Sequence, residues 1–102
     1  MEKRAFERIP AFLSARLLDN TAFHNALILN LSQNGIYFMA KEYLSSGLNI
    51  EISIPLDSTE LKVPFKIVRI SETDLINFKF GAELLGASQE YIKFINGRIA
   101  SM

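Results

Sequence analysis

Leu61-Lys62-Val63-Pro64-Phe65-Lys66-Ile67 places an apolar side chain at every second position, with Lys62, Pro64 and Lys66 between them. Successive side chains of an extended chain point to opposite faces, so this period of two predicts a strand with one face in a core and one in water. The same pattern recurs on both sides. Ile50, Ile52 and Ile54 alternate with Glu51 and Ser53, and Phe78, Phe80, Ala82 and Leu84 alternate with Lys79, Gly81 and Glu83. Further upstream, Ala11, Leu13, Ala15 and Leu17 oppose Ser14 and Arg16, and an apolar run from Ala26 to Leu29 continues toward Ile36 to Met39. Turn-forming residues separate these runs at Asp19-Asn20-Thr21, Asn34-Gly35, Ser45-Ser46-Gly47, Pro55 with Asp57-Ser58, and Ser71 to Asp74. The reading is six antiparallel strands. Pro64 has no N–H for a ladder, so the strand from Leu61 to Ile70 is expected to be an edge or to bulge there.

The period changes near the end of the chain, where Tyr91, Phe94, Ile95 and Ile99 recur three and four apart behind Ser88, a residue suited to an N-cap. One amphipathic helix is expected, with Gly97 ending it or loosening its last turn. Six strands and one helix in a chain of 102 residues predict a small closed β-barrel, because closure removes sheet edges that would otherwise need protection. The helix would cover one mouth or flank.

Composition sets the class. With 49% hydrophobic residues and no repeat or linker, the chain reads as one domain with a single core. It has no cysteine and one histidine, His24, which removes disulfides and nearly all zinc chemistry; no metal or cofactor is expected. Eleven basic and eleven acidic side chains cancel, which argues against a DNA or RNA binder relying on phosphate contacts. No run approaches the ~20 apolar residues of a membrane span, and the start of the chain lacks a signal-peptide core, so a soluble cytoplasmic protein is expected. No P-loop, dinucleotide fingerprint or metalloprotease motif is present. His24 reads as a solvated side chain in a polar turn region, and Glu83 and Glu90 as surface charges. The chain does not read as an enzyme.

Two motifs remain. Arg4-Ala5-Phe6-Glu7-Arg8 is an R-x-x-x-R just ahead of the first strand, and Asn30-Leu31-Ser32-Gln33-Asn34-Gly35 is an N-x-S-x-x-G between two strands. Taken singly, the first is a solvated arm paired with Glu2 and Glu7, and the second a hairpin with Asn34-Gly35 in a type I′ turn. Together and in this order they resemble the PilZ domain family. Phe65-Lys66-Ile67-Val68-Arg69 is similar to the family's G-R-V-V-R strand, and Phe80-Gly81-Ala82-Glu83-Leu84 to its G-x-E-F ending. The resemblance implies a six-stranded antiparallel barrel with a C-terminal helix that binds the bacterial second messenger cyclic di-GMP through the two motifs.

On that resemblance the ligand-binding residues are Arg4, Arg8, Asn30, Ser32 and Gly35. A planar guanidinium can bond bidentately to phosphate or to guanine O6 and N7 and can stack on a base, and residues four apart on an extended segment project to one side. Asn30 and Ser32, two apart on a strand, would present a carbonyl and a hydroxyl to a guanine edge, and Gly35 would allow both the turn and a close approach of the ligand. Asn30 stands where the family more often has Asp, which implies weaker binding, since an amide offers one carbonyl where a carboxylate offers two charged oxygens. Phe65 and Leu84 are departures that concern packing. Residues 1–8 would be a flexible ligand-binding arm, 9–86 the barrel and 88–100 the helix. Ordering of the arm would create a surface for a protein partner, and the helix face around Tyr91 and Phe94 would either seal the barrel or form a homodimer. Lys3 would influence how many ligand molecules bind. Two other readings of the same residues are a PilZ-like adaptor that binds no nucleotide and an OB-like barrel that binds single-stranded nucleic acid on exposed aromatics.

Overall fold

The computed structural model describes residues 8–73, 76–86 and 88–100, with the backbone alone for 72, 73, 99 and 100. The strands are β1 (Ile9–Leu18), β2 (Phe23–Ser32), β3 (Gly35–Ala40), β4 (Asn49–Pro55), β5 (Glu60–Thr73) and β6 (Phe78–Leu84), followed by helix α1 (Gln89–Ala100). They close in the order β1-β2-β3-β6-β5-β4, every neighbouring pair antiparallel, with β4 returning to β1 through Arg16↔Ser53, Leu17↔Ile52 and Leu18↔Glu51. The six-stranded closed barrel with one helix is the architecture the alternation predicts.

The alternating residues form the interior. Val63, Phe65 and Ile67 of β5, Ile52 and Ile54 of β4, Phe38 of β3 and Phe80 of β6 are fully buried, and the Phe38 and Phe80 rings stack at 5.2 Å between centroids. Each such side chain contributes about 1.5–3 kcal/mol relative to exposure, which is the main support of a chain without disulfides. Not every aromatic is inside: Phe12 is 77% exposed, and Phe23 lies on the surface beneath the Arg16 guanidinium.

The strand through Pro64 is an edge at that point, as expected, and is not bulged: Pro64 faces Glu51 of β4, β6 has ended on its other side, and its carbonyl accepts from the Leu85 N–H at 3.0 Å. A strand residue turns its N–H and C=O to the same neighbour, so the missing donor of Pro64 falls where β6 has already ended at Leu84. Ser71 belongs to β5 rather than to a turn. Gly97 does not end the helix, which continues to Ala100. Ser88 does cap it, its Oγ accepting from the Tyr91 N–H at 3.2 Å.

The strands also leave strict alternation at a few points. The β2–β3 register shifts between Ile28 and Asn30, and the β5–β6 register between Ile67 and Arg69. In each case one extra residue turns the next side chain to the other face of the barrel.

Candidate functional site

Continued alternation from Ala26 and Ile28 would send Asn30 into the core. The bulge in β2 turns it outward, and Leu31 becomes the next buried residue. Pro10 of β1 pairs with Asn30, which brings Arg8, at the head of β1, to the same corner. There the Arg8 guanidinium Nη1 donates to Asn30 Oδ1 at 2.6 Å. The second arginine of one motif and the first residue of the other therefore meet directly. Arg4, Lys3 and the rest of the arm through residue 7 lie outside the described residues.

Ser32 is placed differently from what strand spacing implies. It is 1% exposed, and its hydroxyl donates to Asn34 Oδ1 at 2.7 Å, with the Gly35 carbonyl 3.5 Å away. The hydroxyl closes the turn instead of facing outward beside Asn30. The turn itself is Gln33-Asn34, and Gly35 is the first residue of β3, paired with Ser32. No non-glycine residue described has a positive φ and Gly35 is not among the positive-φ glycines, so the expected type I′ turn over Asn34-Gly35 is not formed. Gly35 is needed for another reason: a Cβ there would sit 2.6 Å from the carbonyl oxygen of Ala82 on β6. The glycine lets two backbones approach.

Arg8, Asn34 and Gly35 form one side of a shallow recess of about 190 Å³ whose other walls are Val68, Arg69, Gly81, Ala82 and Glu83. Arg69, the last residue of the strand similar to G-R-V-V-R, is not among the ligand residues the motifs imply. Val63, Phe65 and Ile67 point inward, so alternation would bury position 69; the β5 bulge instead leaves both Val68 and Arg69 exposed. Its side chain crosses Gly81, where a Cβ would meet Arg69 Nε at 3.0 Å and Cγ at 3.2 Å. The signal available in the sequence was Gly81 in the middle of an otherwise regular strand, a mark of close approach. Arg8 and Arg69 thus bring two permanently charged, planar donor groups to a recess with amide and backbone groups on its walls. This suits a ligand that combines phosphate with a flat hydrogen-bonding ring.

Helix α1 supports the site from behind. Tyr91 is fully buried, its ring edge-on to Phe65 at 5.5 Å, and its hydroxyl donates to the Ser32 carbonyl at 2.7 Å with the Gly35 carbonyl at 3.1 Å. Burial pushes this hydroxyl far above the ordinary phenol range, opposed by the nearby charge of Arg8, so it remains a donor.

His24 is remote from the recess, near the opposite end of β2, and it is not solvated as expected. Its side chain is 15% exposed, with Nε2 2.8 Å from Asp19 Oδ2 and Nδ1 3.6 Å from Glu42 Oε1. Asp19 also accepts from the Thr21 and Ala22 N–H groups at 2.8 and 2.9 Å. The Thr21 N–H first, then His24 and the Ala22 N–H, hold its carboxyl well below the usual carboxylate range. The cluster fastens the β1–β2 turn to the end of β3. Among the described residues no group of three or more His, Asp or Glu could hold a metal, and no helix is long and apolar enough to cross a membrane.

Solved structures share this architecture. The PilZ domain of YcgR from Escherichia coli, determined with c-di-GMP, superposes with a TM-score of 0.79 at 16% identity, covering 98% of this chain and 91% of that one. The Bacillus subtilis inhibitor of motility, MotI/DgrA, gives 0.74 at 18% identity over 99% of this chain, which spans only 53% of that protein. PlzA from Borreliella burgdorferi, solved in complex with c-di-GMP, gives 0.68 at 23% identity, covering 92% of this chain and 40% of that one. At these identities the likeness establishes the fold. No curated protein matches the sequence. The PilZ domain family profile, by contrast, matches residues 2–97, nearly the whole length, and includes both motifs that meet at the recess. On that match and the shared barrel, the chain belongs to the PilZ domain family.

Proposed function

We propose that this domain is a bacterial, cytoplasmic receptor for cyclic di-GMP that performs no chemistry on its ligand and passes the signal to a protein partner. The observation that carries the reading is the Arg8–Asn30 hydrogen bond of 2.6 Å beside a recess that also holds Arg69. Asn30 uses its carbonyl to hold one nitrogen of the Arg8 fork, which fixes the plane of the guanidinium and leaves its other N–H groups for phosphate or guanine. Arg69, steadied against Gly81, faces the same volume from β5. The c-di-GMP complexes of the YcgR PilZ domain and of PlzA support the choice of ligand.

The recess is shallow and open to solvent, so a cyclic dinucleotide seated in it would be covered on one side only by the barrel. Arg8 lines the recess, and the arm ahead of it would supply the remaining cover, with Arg4 closing over the far side of the ligand. Closure of the arm is the step that creates a surface for the partner. Ser32 and Gly35 act in this reading by shaping the turn that walls the recess.

A second reading, an adaptor that binds no nucleotide, is favoured by the closed position of the Ser32 hydroxyl. An amide-resonance titration with cyclic di-GMP separates the two. Receptor function predicts shifts concentrated at Gly35, Arg69, Gly81 and Ala82 and their loss in Arg8→Ala. No shift, or shifts centred on the His24 cluster, would reject it.

A further inference from the structure

We infer that Tyr91 is a positioning residue for the ligand site, holding the turn between β2 and β3 in its binding geometry and thereby tying the seating of α1 to occupancy of the recess. This rests on the proposed receptor function for its ligand. The turn has two ends, Ser32 and Gly35, and the carbonyls of both converge on one buried hydroxyl, at 2.7 and 3.1 Å. Without that donor, the Ser32 Oγ at 3.5 Å is the nearest side-chain partner for the Gly35 carbonyl, and its proton is already directed to Asn34 at 2.7 Å. Ser32 and Gly35 pair with each other across the hairpin, so losing the hydroxyl removes a buried second bond from both carbonyls and lets the turn move more freely. Asn34 and Gly35 are walls of the recess, so such a movement changes the site.

Tyr91 cannot follow the turn freely, because its ring is fixed edge-on to Phe65 in the core. The helix adds a second link, from Gln33 Nε2 in the turn to Asn96 Oδ1 at 2.6 Å. Asn96 lies on the surface, so this link is the weaker of the two. The coupling is reciprocal by thermodynamic necessity: if a seated helix favours the binding form of the turn, ligand bound at the turn favours the seated helix.

Tyr91→Phe keeps the ring and removes the donor. In the ligand-free variant, amides of Gln33, Asn34 and Gly35, and of Leu84, whose N–H donates to the Asn34 carbonyl at 2.8 Å, should exchange about tenfold faster relative to Ile52 of β4. Cyclic di-GMP should bind the variant about tenfold more weakly. In the wild type the ligand should slow exchange of the α1 amides Ile92 to Ile95, and in Tyr91→Phe it should not. Ile95→Val trims the buried face of the helix without touching the turn and should match the wild type in affinity. Unchanged turn exchange, unchanged affinity in Tyr91→Phe, or equal weakening in Ile95→Val would overturn the assignment. If the wild type ignores cyclic di-GMP, the receptor reading falls, while exchange in the free protein still decides whether Tyr91 holds the turn.

Discussion

Replacing Gly35 by alanine tests the claim that this glycine serves strand approach and not turn conformation. The added Cβ would lie 2.6 Å from the Ala82 carbonyl oxygen, with the Ala82 carbonyl carbon and the Glu83 Cα at 3.6 Å. A carbon and a carbonyl oxygen ordinarily come no closer than about 3.3 Å, so β3 and β6 must part locally by roughly 0.7 Å. Both partners are backbone, and no flexible side chain can yield. The Leu84 N–H bond to the Asn34 carbonyl, now 2.8 Å, would stretch toward rupture. Overpacking of this kind costs about 1–3 kcal/mol and a lost backbone bond about 1 more, against a gain of about 0.5 from the stiffer unfolded chain. The net loss of about 1.5–3.5 kcal/mol corresponds to a melting temperature lower by roughly 6–28 °C for a domain of this size. Thermal unfolding followed by circular dichroism measures it. Gly47→Ala is the reference: Gly47 has a φ of 90° but no atom within 4 Å of an added Cβ, so only backbone strain, about 1–2 kcal/mol, is added, offset by about 0.5 from the stiffer unfolded chain. Should Gly35→Ala melt within about 3 °C of the wild type, or Gly47→Ala prove the worse variant, the close-approach argument is wrong.

Arg69→Ala should weaken cyclic di-GMP binding at least tenfold, about 1.4 kcal/mol, with the melting temperature unchanged within about 2 °C, because the side chain faces the recess and not the core; calorimetry and a melt report both, and full affinity would remove Arg69 from the site. Asp19 should show a pH signature. Its carboxyl is depressed in the folded chain, so its contribution is complete above the unfolded value of about 4 and is lost as the pH falls below that. The gap in urea midpoint between wild type and Asp19→Ala should therefore narrow as the pH falls below about 4, and a gap that stays unchanged or widens there would contradict the assignment.

The barrel was legible because its interior is written in period two: Val63, Phe65 and Ile67, or Ile50, Ile52 and Ile54, need no tertiary information to declare a buried face. The candidate site was legible as a pair of motifs, of which Arg8 and Asn30 meet. What could not be read is where the period breaks. A bulge costs one residue and leaves no composition signal of its own, yet one bulge turns Asn30 outward and another turns Arg69 into the recess. Glycine was ambiguous in the same way, since Asn34-Gly35 reads as a turn while the constraint on Gly35 comes from Ala82, far away in sequence. Tyr91 was legible as a helix residue facing the core, but its hydroxyl's partners, 59 and 56 residues earlier, depend on how α1 docks. His24 was misread for the same reason, its partners Asp19 and Glu42 being brought together by the pairing of β1, β2 and β3.

Isothermal titration of the chain with cyclic di-GMP, beside Arg8→Ala, tests most directly whether a cyclic dinucleotide is held at the Arg8 corner. The prediction is saturable heat from the wild type and none from the variant, with both proteins melting alike. No heat from the wild type at millimolar ligand, or undiminished binding by Arg8→Ala, would contradict it.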